Sequence, residues 1–274
     1  MLHTVYSTDF DQHLCHLKGI LEKCKKYGLK LKKEKCKFAC EELEFLGHVI
    51  GKDGLAPDDR KIEAITQFPP PTNVKEICSF LGMTGFYRQF IQDYSEITKP
   101  ITNLLKQKNA FKWTNECQDA FKVLKKCLIN LPILAHPNKI GLFTVTTDAS
   151  DVALGAVLSQ EQNEGKDYVV SYSSKKLNET EQRYHINEKE GMAVFWAIHK
   201  KYCRFLQGRH FRVITDSKTL ESMIKKLTPQ WQSARIARWV MALQEYDYIV
   251  EHRAGSLNVV ADALSRNPIY QKKI

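Results

Sequence analysis

The stretch FTVTTDASDVALGAVLSQ, residues Phe143 to Gln160, runs a strand-like alternation into one aspartate, Asp148, then small residues, then a second apolar run. Alternation of period two marks a strand with one buried face. A carboxylate at the end of such a strand is costly unless a hydrogen-bond network or a cation compensates it. Around Asp148 stand little but Ala149, Ser150, Ala153 and Gly155, which fill almost no space. The partner of that carboxylate is the question on which the rest of the chain bears.

Outward from this stretch, GLFTVTTD, VALGAVLSQ and DYVVSYSS form a meander of three β-rich segments. The pattern then predicts a long helix from about Glu181 to Phe205, a fourth strand in FRVITD and a short helix in SKTLESMI. A longer helix in PQWQSARIARWVMALQEY, a fifth strand in DYIVEHR and a closing helix in NVVADALSR complete the order. Such an order gives a mixed α/β domain with helices against a central sheet.

The first half reads differently. Leu14, Leu17, Ile20 and Leu21 recur at helical spacing between Phe10 and Tyr27, and Gly28 ends that helix. EFLGHVIGKDG reads as a strand with a Lys-Asp-Gly turn. Pro57 opens the helix DDRKIEAITQF, which stops at the stiff FPPPT break. Asn73 and Thr114 are the expected caps of two further helices. Lys30, Lys32, Lys33, Lys35 and Lys37 make either a solvated face or a phosphate-facing surface.

The chain has 274 residues, 43% hydrophobic and 26% charged, which is ample for a core and long enough for two domains. A formal net charge of +10 fits either a polyanionic partner or a plain basic protein. The eight cysteines show no C-x-x-C pair, and Cys36, Cys40 and His48 lack an evident fourth zinc ligand. Reduced thiols, no signal peptide and no apolar run of membrane-spanning length predict a soluble intracellular protein, cytoplasmic or nuclear.

Four acidic residues stand out in the second half: Asp148 and Asp216 at strand ends, Glu190 within a helix, and Asp262 in the closing helix. Each alone reads equally as a cap or turn residue. Three of the four interrupt apolar runs where burial penalises charge, and a cluster of carboxylates needs divalent cations. Oxygen-only ligands suit Mg²⁺ or Mn²⁺. Two such ions about 3.5–4 Å apart suit in-line attack of water on a phosphodiester. In the helix, Glu190 shares a face with Ile186, Ala193 and Ala197, whereas Glu188 points about 160° away.

TDASDVALGAVLSQ, NEKEGMAVFWAI, VITDSKTL and HRAGSLNVVADALSR together resemble the ribonuclease H domain of gypsy-type long-terminal-repeat retrotransposon reverse transcriptases. The resemblance implies that Asp148, Glu190, Asp216 and Asp262 hold two Mg²⁺ or Mn²⁺ ions. His252 stands where related enzymes carry a histidine that assists water activation or product release; a surface histidine is its other reading. Ala149, Ser150 and Asn187 become candidates for 2′-hydroxyl contacts. EFLGHVIGKDGL is similar to the primer-grip hairpin of the palm, and ICSFLGMTGFYRQFIQDYS to the thumb. Phe86, Tyr87 and Arg88 sit at the thumb's most characteristic point, where the aromatics are either helix core or nucleic-acid contacts.

The resemblance implies a fold of class α/β: a ribonuclease H-like mixed sheet with flanking helices, preceded by a palm remnant and a small helical thumb. Its boundaries are 1–55 for the palm remnant with the hairpin, 56–137 for the thumb and connecting helix, 138–266 for the ribonuclease H domain and 267–274 for a tail. The family's Tyr-x-Asp-Asp polymerase motif is absent from this sequence, so a fragment of a Pol polyprotein is expected. The expected activity is cleavage of the RNA strand of RNA–DNA hybrids. Two alternatives stand beside it: an idle nucleic-acid-binding remnant, or a reverse transcriptase subunit whose palm comes from another copy. The expected partners are an RNA–DNA hybrid or template-primer, and a second copy or a full-length reverse transcriptase, with no membrane.

Overall fold

The computed structural model describes residues 4–7, 9–106, 111–162, 165–217 and 234–253. The expected helix in SKTLESMI, the start of the helix after it, the closing helix with Asp262, and the tail lie outside the described residues. The chain divides into two compact units, Met1–Glu41 and Glu42–Ile274.

In the first unit, α1 (Phe10–Lys26) is capped by Asp9, whose carboxylate accepts from the Gln12 amide at 2.8 Å. Lys23, Lys25 and Lys26 lie in its last turn, where the helix dipole favours cations. Gly28 then takes a φ of +67°, the left-handed conformation that terminates helices.

The second unit opens with a small antiparallel sheet of β1 (Leu43–Phe45), β2 (His48–Gly51) and β3 (Gly54–Pro57), where a single strand and turn were expected. The helices of the next segment obey the expected punctuation. α2 (Asp59–Thr66) starts from Asp58, and α3 (Val74–Phe86) from Asn73, whose side chain accepts from the Glu76 amide. After α4 (Tyr94–Ile97) and α5 (Lys99–Asn103), α6 (Asn115–Ile129) starts from Thr114. Ile77, Phe80, Phe90, Ile101, Leu124 and Leu128 fill the core between them, all 2% exposed or less.

The second sheet has five strands in the order β6-β5-β4-β7-β8. β4 (Phe143–Ala149), β5 (Ala153–Gln162) and β6 (Lys166–Lys176) form the antiparallel meander; β7 (His210–Thr215) and β8 (Asp247–His252) add in parallel. The expected unbroken helix from Glu181 to Phe205 is corrected. α7 (Glu179–Gln182) ends at a turn, and α8 (Ile186–Phe195) restarts where the His185 ring accepts from the Asn187 amide. A π-helical stretch, Trp196–Lys201, and α9 (Cys203–Leu206) complete the run. One sheet face packs Phe143, Val145, Phe211 and Val213 against Val194 and Ile198. α10 (Ala234–Leu243) lies against α8.

The helical segment and this sheet share one core, because Val169 and Tyr172 of β6 pack with the helices. A strap at Leu134 and Ala135 joins them: Leu134 exchanges two backbone hydrogen bonds with Leu55, and the Ala135 amide donates to Val169. The hairpin expected to close the first domain at residue 55 is therefore grouped with the helical segment and the five-stranded sheet. Tyr87 reinforces that placement by donating its hydroxyl to the Gly47 carbonyl at 3.0 Å. Among the described residues no helix is long and apolar enough to cross a membrane.

Gly54 shows how tight the strap is. Its φ is +140°, and a Cβ there would meet the Leu134 carbonyl oxygen at 2.1 Å. Gly54→Ala is expected to destabilise the protein by about 2–4 kcal/mol. Gly82, inside α3 with nothing within 4 Å of an added Cβ, gives the opposite expectation. Gly82→Ala should stabilise by roughly 0.5–1 kcal/mol, since glycine is poor in helix interiors. Urea unfolding of the two variants checks both signs; a neutral Gly54→Ala would contradict the strap.

Candidate metal centre

Along β4 the side chains alternate, so Phe143 and Val145 enter the core beneath α8 while Thr144, Thr146 and Asp148 belong to the opposite set. Asp148 stands opposite Gly155 across β4 and β5. Asp216 comes directly after β7, the parallel neighbour of β4. Glu190 comes from the first half of α8, packed against β4. One carboxylate oxygen from each of Asp148, Glu190 and Asp216 lies within 4.8 Å of the others.

Their environments differ. Glu190 is 5% exposed, Asp216 half-buried and Asp148 exposed at the opening, so the expectation of a buried Asp148 is corrected: the buried residue is Thr147. Burial, then Asp216 and Asp148, push the Glu190 carboxyl up to about 8. Asp148 is also raised, by desolvation from the walls around it, then by Asp216 and Glu96. The Ala149 amide opposes the rise at both carboxylates. Oε2 of Glu190 is buried without a hydrogen-bond partner. A buried, unpartnered acceptor facing two more carboxylates fits a hard divalent cation bound through oxygen.

Neighbouring contacts hold α8 in register. Lys189, 4% exposed, reaches back to Asp151 in the β4–β5 turn at 2.6 Å. Glu188 pairs with Arg235 of α10 at 3.0 Å. The two glutamates thus serve opposite sides of the helix, as the spacing predicts. Ile186, expected on the Glu190 face, is 48% exposed, whereas Ala193 is fully buried.

The other sequence-predicted residues separate clearly. His252, the last residue of β8, places Nε2 at 3.0 Å from the Asp216 carbonyl oxygen. Ala149 is at the centre itself. Ser150 uses its hydroxyl in the β4–β5 turn, contacting the Val152 and Ala153 amides and the Ala153 carbonyl. Asn187 is half-buried one turn before Glu190. Tyr87 is corrected as a nucleic-acid contact: it is 1% exposed, and burial followed by Asp58 pushes its phenol up to about 12. Phe86 stays 46% exposed, its ring tilted against His48 with Lys61 over it, and Arg88 is exposed. Lys30, Lys32, Lys33 and Lys37 are exposed in the first unit; the Lys35 side chain and Asp262 lie outside the described residues.

The sequence reading missed Asp93. It lines a cavity of about 210 Å³ together with Gln92, Asp148, Gly155, Ser173 and Asp216. Burial, then Asp148 and Glu96, raise its carboxyl to about 6. A lone aspartate before a short helix looks like an ordinary cap, and no periodicity singles it out.

The family model described as "RNase H-like domain found in reverse transcriptase" matches residues 113–213, and that described as "Reverse transcriptase (RNA-dependent DNA polymerase)" matches residues 3–50. The retrovirus-related Pol polyprotein from transposon 297 of Drosophila melanogaster is 39% identical over 263 residues, covering 96% of this chain and 24% of the polyprotein. The transposon Tf2-3 polyprotein of Schizosaccharomyces pombe is 34% identical over 264 residues, covering 96% of the chain and 20% of the polyprotein. The chain spans about a quarter or less of these relatives' length. The foamy viral protease-reverse transcriptase in complex with RNA/DNA hybrid superposes with a TM-score of 0.76 at 21% identity, covering 92% of this chain and 35% of that one. The same viral enzyme with dsDNA gives 0.73 at 21% identity, over 91% and 53%. At that identity the likeness is one of fold.

The raised Glu190 carboxyl sets the sign of a stability effect. Its folded value lies above the ordinary value of 4.5, so between 4.5 and about 8 the folded state binds the extra proton. Its contribution is therefore present in acid and lost as pH rises through about 8. In EDTA, Glu190→Gln should melt higher than the parent at pH ~9 and show a smaller advantage at pH ~5, with about 2–4 °C per kcal/mol. A pH-independent difference in Tm would contradict the buried, unpaired carboxylate.

Proposed function

The chain is homologous to the reverse transcriptase and ribonuclease H segment of gypsy-type retrotransposon Pol polyproteins, and from that premise we propose that it cleaves the RNA strand of RNA–DNA hybrids with Mg²⁺ or Mn²⁺. The observation that carries this reading is the convergence of one carboxylate oxygen from each of Asp148, Glu190 and Asp216 within 4.8 Å, with Glu190 buried and its Oε2 unpartnered. Asp148, Glu190 and Asp216 would hold the cations, with Asp262 as the fourth ligand by family position. When bound, two ions supply a water of lowered pKa and positive charge beside the leaving oxygen.

The protein's own groups do the rest. Asp148 stands at the exposed side of the group, where a phosphodiester arrives, and Glu190 anchors its buried side. Ala149, next to Asp148 and only half-buried, fills little space and leaves room for a sugar-phosphate backbone. His252 fixes the Asp216 backbone and puts an imidazole next to the site for proton exchange with the leaving group. Asn187, half-buried one turn before Glu190, and Ala149 would contact the 2′-hydroxyl, the feature that tells RNA from DNA. Residues 56–137 serve as the thumb, with exposed Phe86 and Arg88 toward the duplex. Lys30, Lys32, Lys33 and Lys37 add phosphate contacts.

Purified protein is expected to cut labelled RNA in a hybrid with Mg²⁺ or Mn²⁺, to stop in EDTA, and to spare duplex DNA. Asp148→Asn and Glu190→Gln should each lower the rate at least about 100-fold with folding intact. Glu188→Gln should keep most of the activity, since Glu188 serves Arg235. Undiminished cleavage by Asp148→Asn would reject the site. Hybrid binding without cleavage by the metal-loaded parent would instead favour an idle binding remnant.

A further inference from the structure

Asp93 reaches the metal centre from outside the ribonuclease H-like sheet. It lies between Phe90 and α4, with φ +51° and ψ +28°. A left-handed backbone is uncommon for a residue other than glycine, and Asp and Asn are the side chains that tolerate it. Although Asp93 is the N-terminal flanking residue of α4, its side chain makes no capping hydrogen bond. Its Oδ1 lies instead only 3.0 Å from where a Cβ on Gly155 would stand, and Gly155 is the cross-strand partner of Asp148.

The segment that delivers Asp93 is firmly held. Ile91 is 2% exposed, and the Tyr94 hydroxyl bonds Thr84 at 2.9 Å. The Ser95 amide donates to the Ser174 hydroxyl of β6 at 2.9 Å. Among the described residues no Lys, Arg or His side chain forms an ion pair with Asp93, and its carboxylate shares the cavity with Asp148 and Asp216. It stands outside the group of ligand oxygens within 4.8 Å. The cluster calls for a cation on separate grounds: Glu190, only 5% exposed, brings its carboxylate into it with Oε2 buried and unpartnered.

We propose that Asp93 is a positioning residue of this metal centre, accepting hydrogen bonds from the water shell of ions held by Asp148, Glu190 and Asp216. The proposal rests on the reading of that trio as cation ligands. A carboxylate one water beyond the ligands orients the bound water and adds negative charge without entering the coordination sphere. The helical segment thereby completes a site whose ligands all belong to the sheet domain and its helices. Gly155 is what lets Asp93 come so close.

The test uses the full chain and Mn²⁺ alone, with free Mn²⁺ followed by electron paramagnetic resonance. Asp93→Asn keeps the shape and the left-handed backbone but removes the charge; Asp93→Ser is the second variant, and Asp93→Glu the conservative one. Asn and Ser are expected to weaken Mn²⁺ binding about 10-fold, with Glu recovering part of it and the melting temperature in EDTA not lowered. Binding within twofold of the parent by either folded variant, Asn or Ser, overturns the role of Asp93 and leaves the three-carboxylate reading standing. No Mn²⁺ uptake by the parent, or uptake unchanged in Asp148→Asn, overturns both.

Discussion

Holding three carboxylates together, with no ion pair to any of them among the described residues, is the constraint on which this structure depends. Each of Asp148, Glu190 and Asp216 raises the electrostatic cost of the others, and the cost peaks at Glu190 because it is also the most buried. A loop could not hold such a group; it would relax and let the charges separate. The three carboxylates therefore sit at the ends of the two neighbouring central strands and on a helix packed against one of them. The surrounding ion pairs keep that helix from sliding: Lys189 ties it to the β4–β5 turn and Glu188 ties it to α10. Both are polar contacts flanking Glu190, so a shift by one residue would break both at once.

The second layer explains how an extra carboxylate arrives. β6 is an edge strand of the five-stranded sheet, and an uncovered edge invites unwanted pairing. Here it is covered. Ala135 bonds its backbone at Val169, the two serines meet at Ser95 and Ser174, and Lys176 donates to Thr102 and Asn103. Val169 and Tyr172 bury their side chains among the helices. The same docking that covers the edge carries residues 92–95 to the lip of the cleft, so edge protection and site construction are one feature.

Much of this was legible in the sequence where local rules dominate. Asn73 and Thr114 cap their helices because a short polar side chain before an acidic first turn satisfies free amides whatever the tertiary context. Strand segments matched the alternation, and Glu190 was told from Glu188 by helical geometry together with the family resemblance. The misreadings trace to distant contacts. Tyr87 could be read as helix core or as a nucleic-acid contact, and only the hairpin at Gly47, 40 positions away, decides for the core. The break after Gln182 depends on His185, a residue with no strong capping signature, accepting from the Asn187 amide. Asp93 was invisible because its importance comes only from facing Gly155 across two layers.

The energetics of the centre also bear on the order in which the protein acquires its final stability. A metal-free cluster penalises the folded state, since the unfolded chain can separate and hydrate the same carboxylates. Any cation that binds only the folded arrangement removes this penalty and adds its own binding free energy to folding. The cores tolerate the penalty because they are large and close-packed on both sides of the sheet, with fully buried Phe80, Phe143, Phe211 and Tyr202 among their members. Tyr202 illustrates the division of labour: its hydroxyl lies 3.1 Å from the carbonyl oxygens of Ala156 in β5 and Ser171 in β6, sharing its one proton between the two strands. The packed cores supply rigidity, and the rigidity keeps the repelling charges side by side.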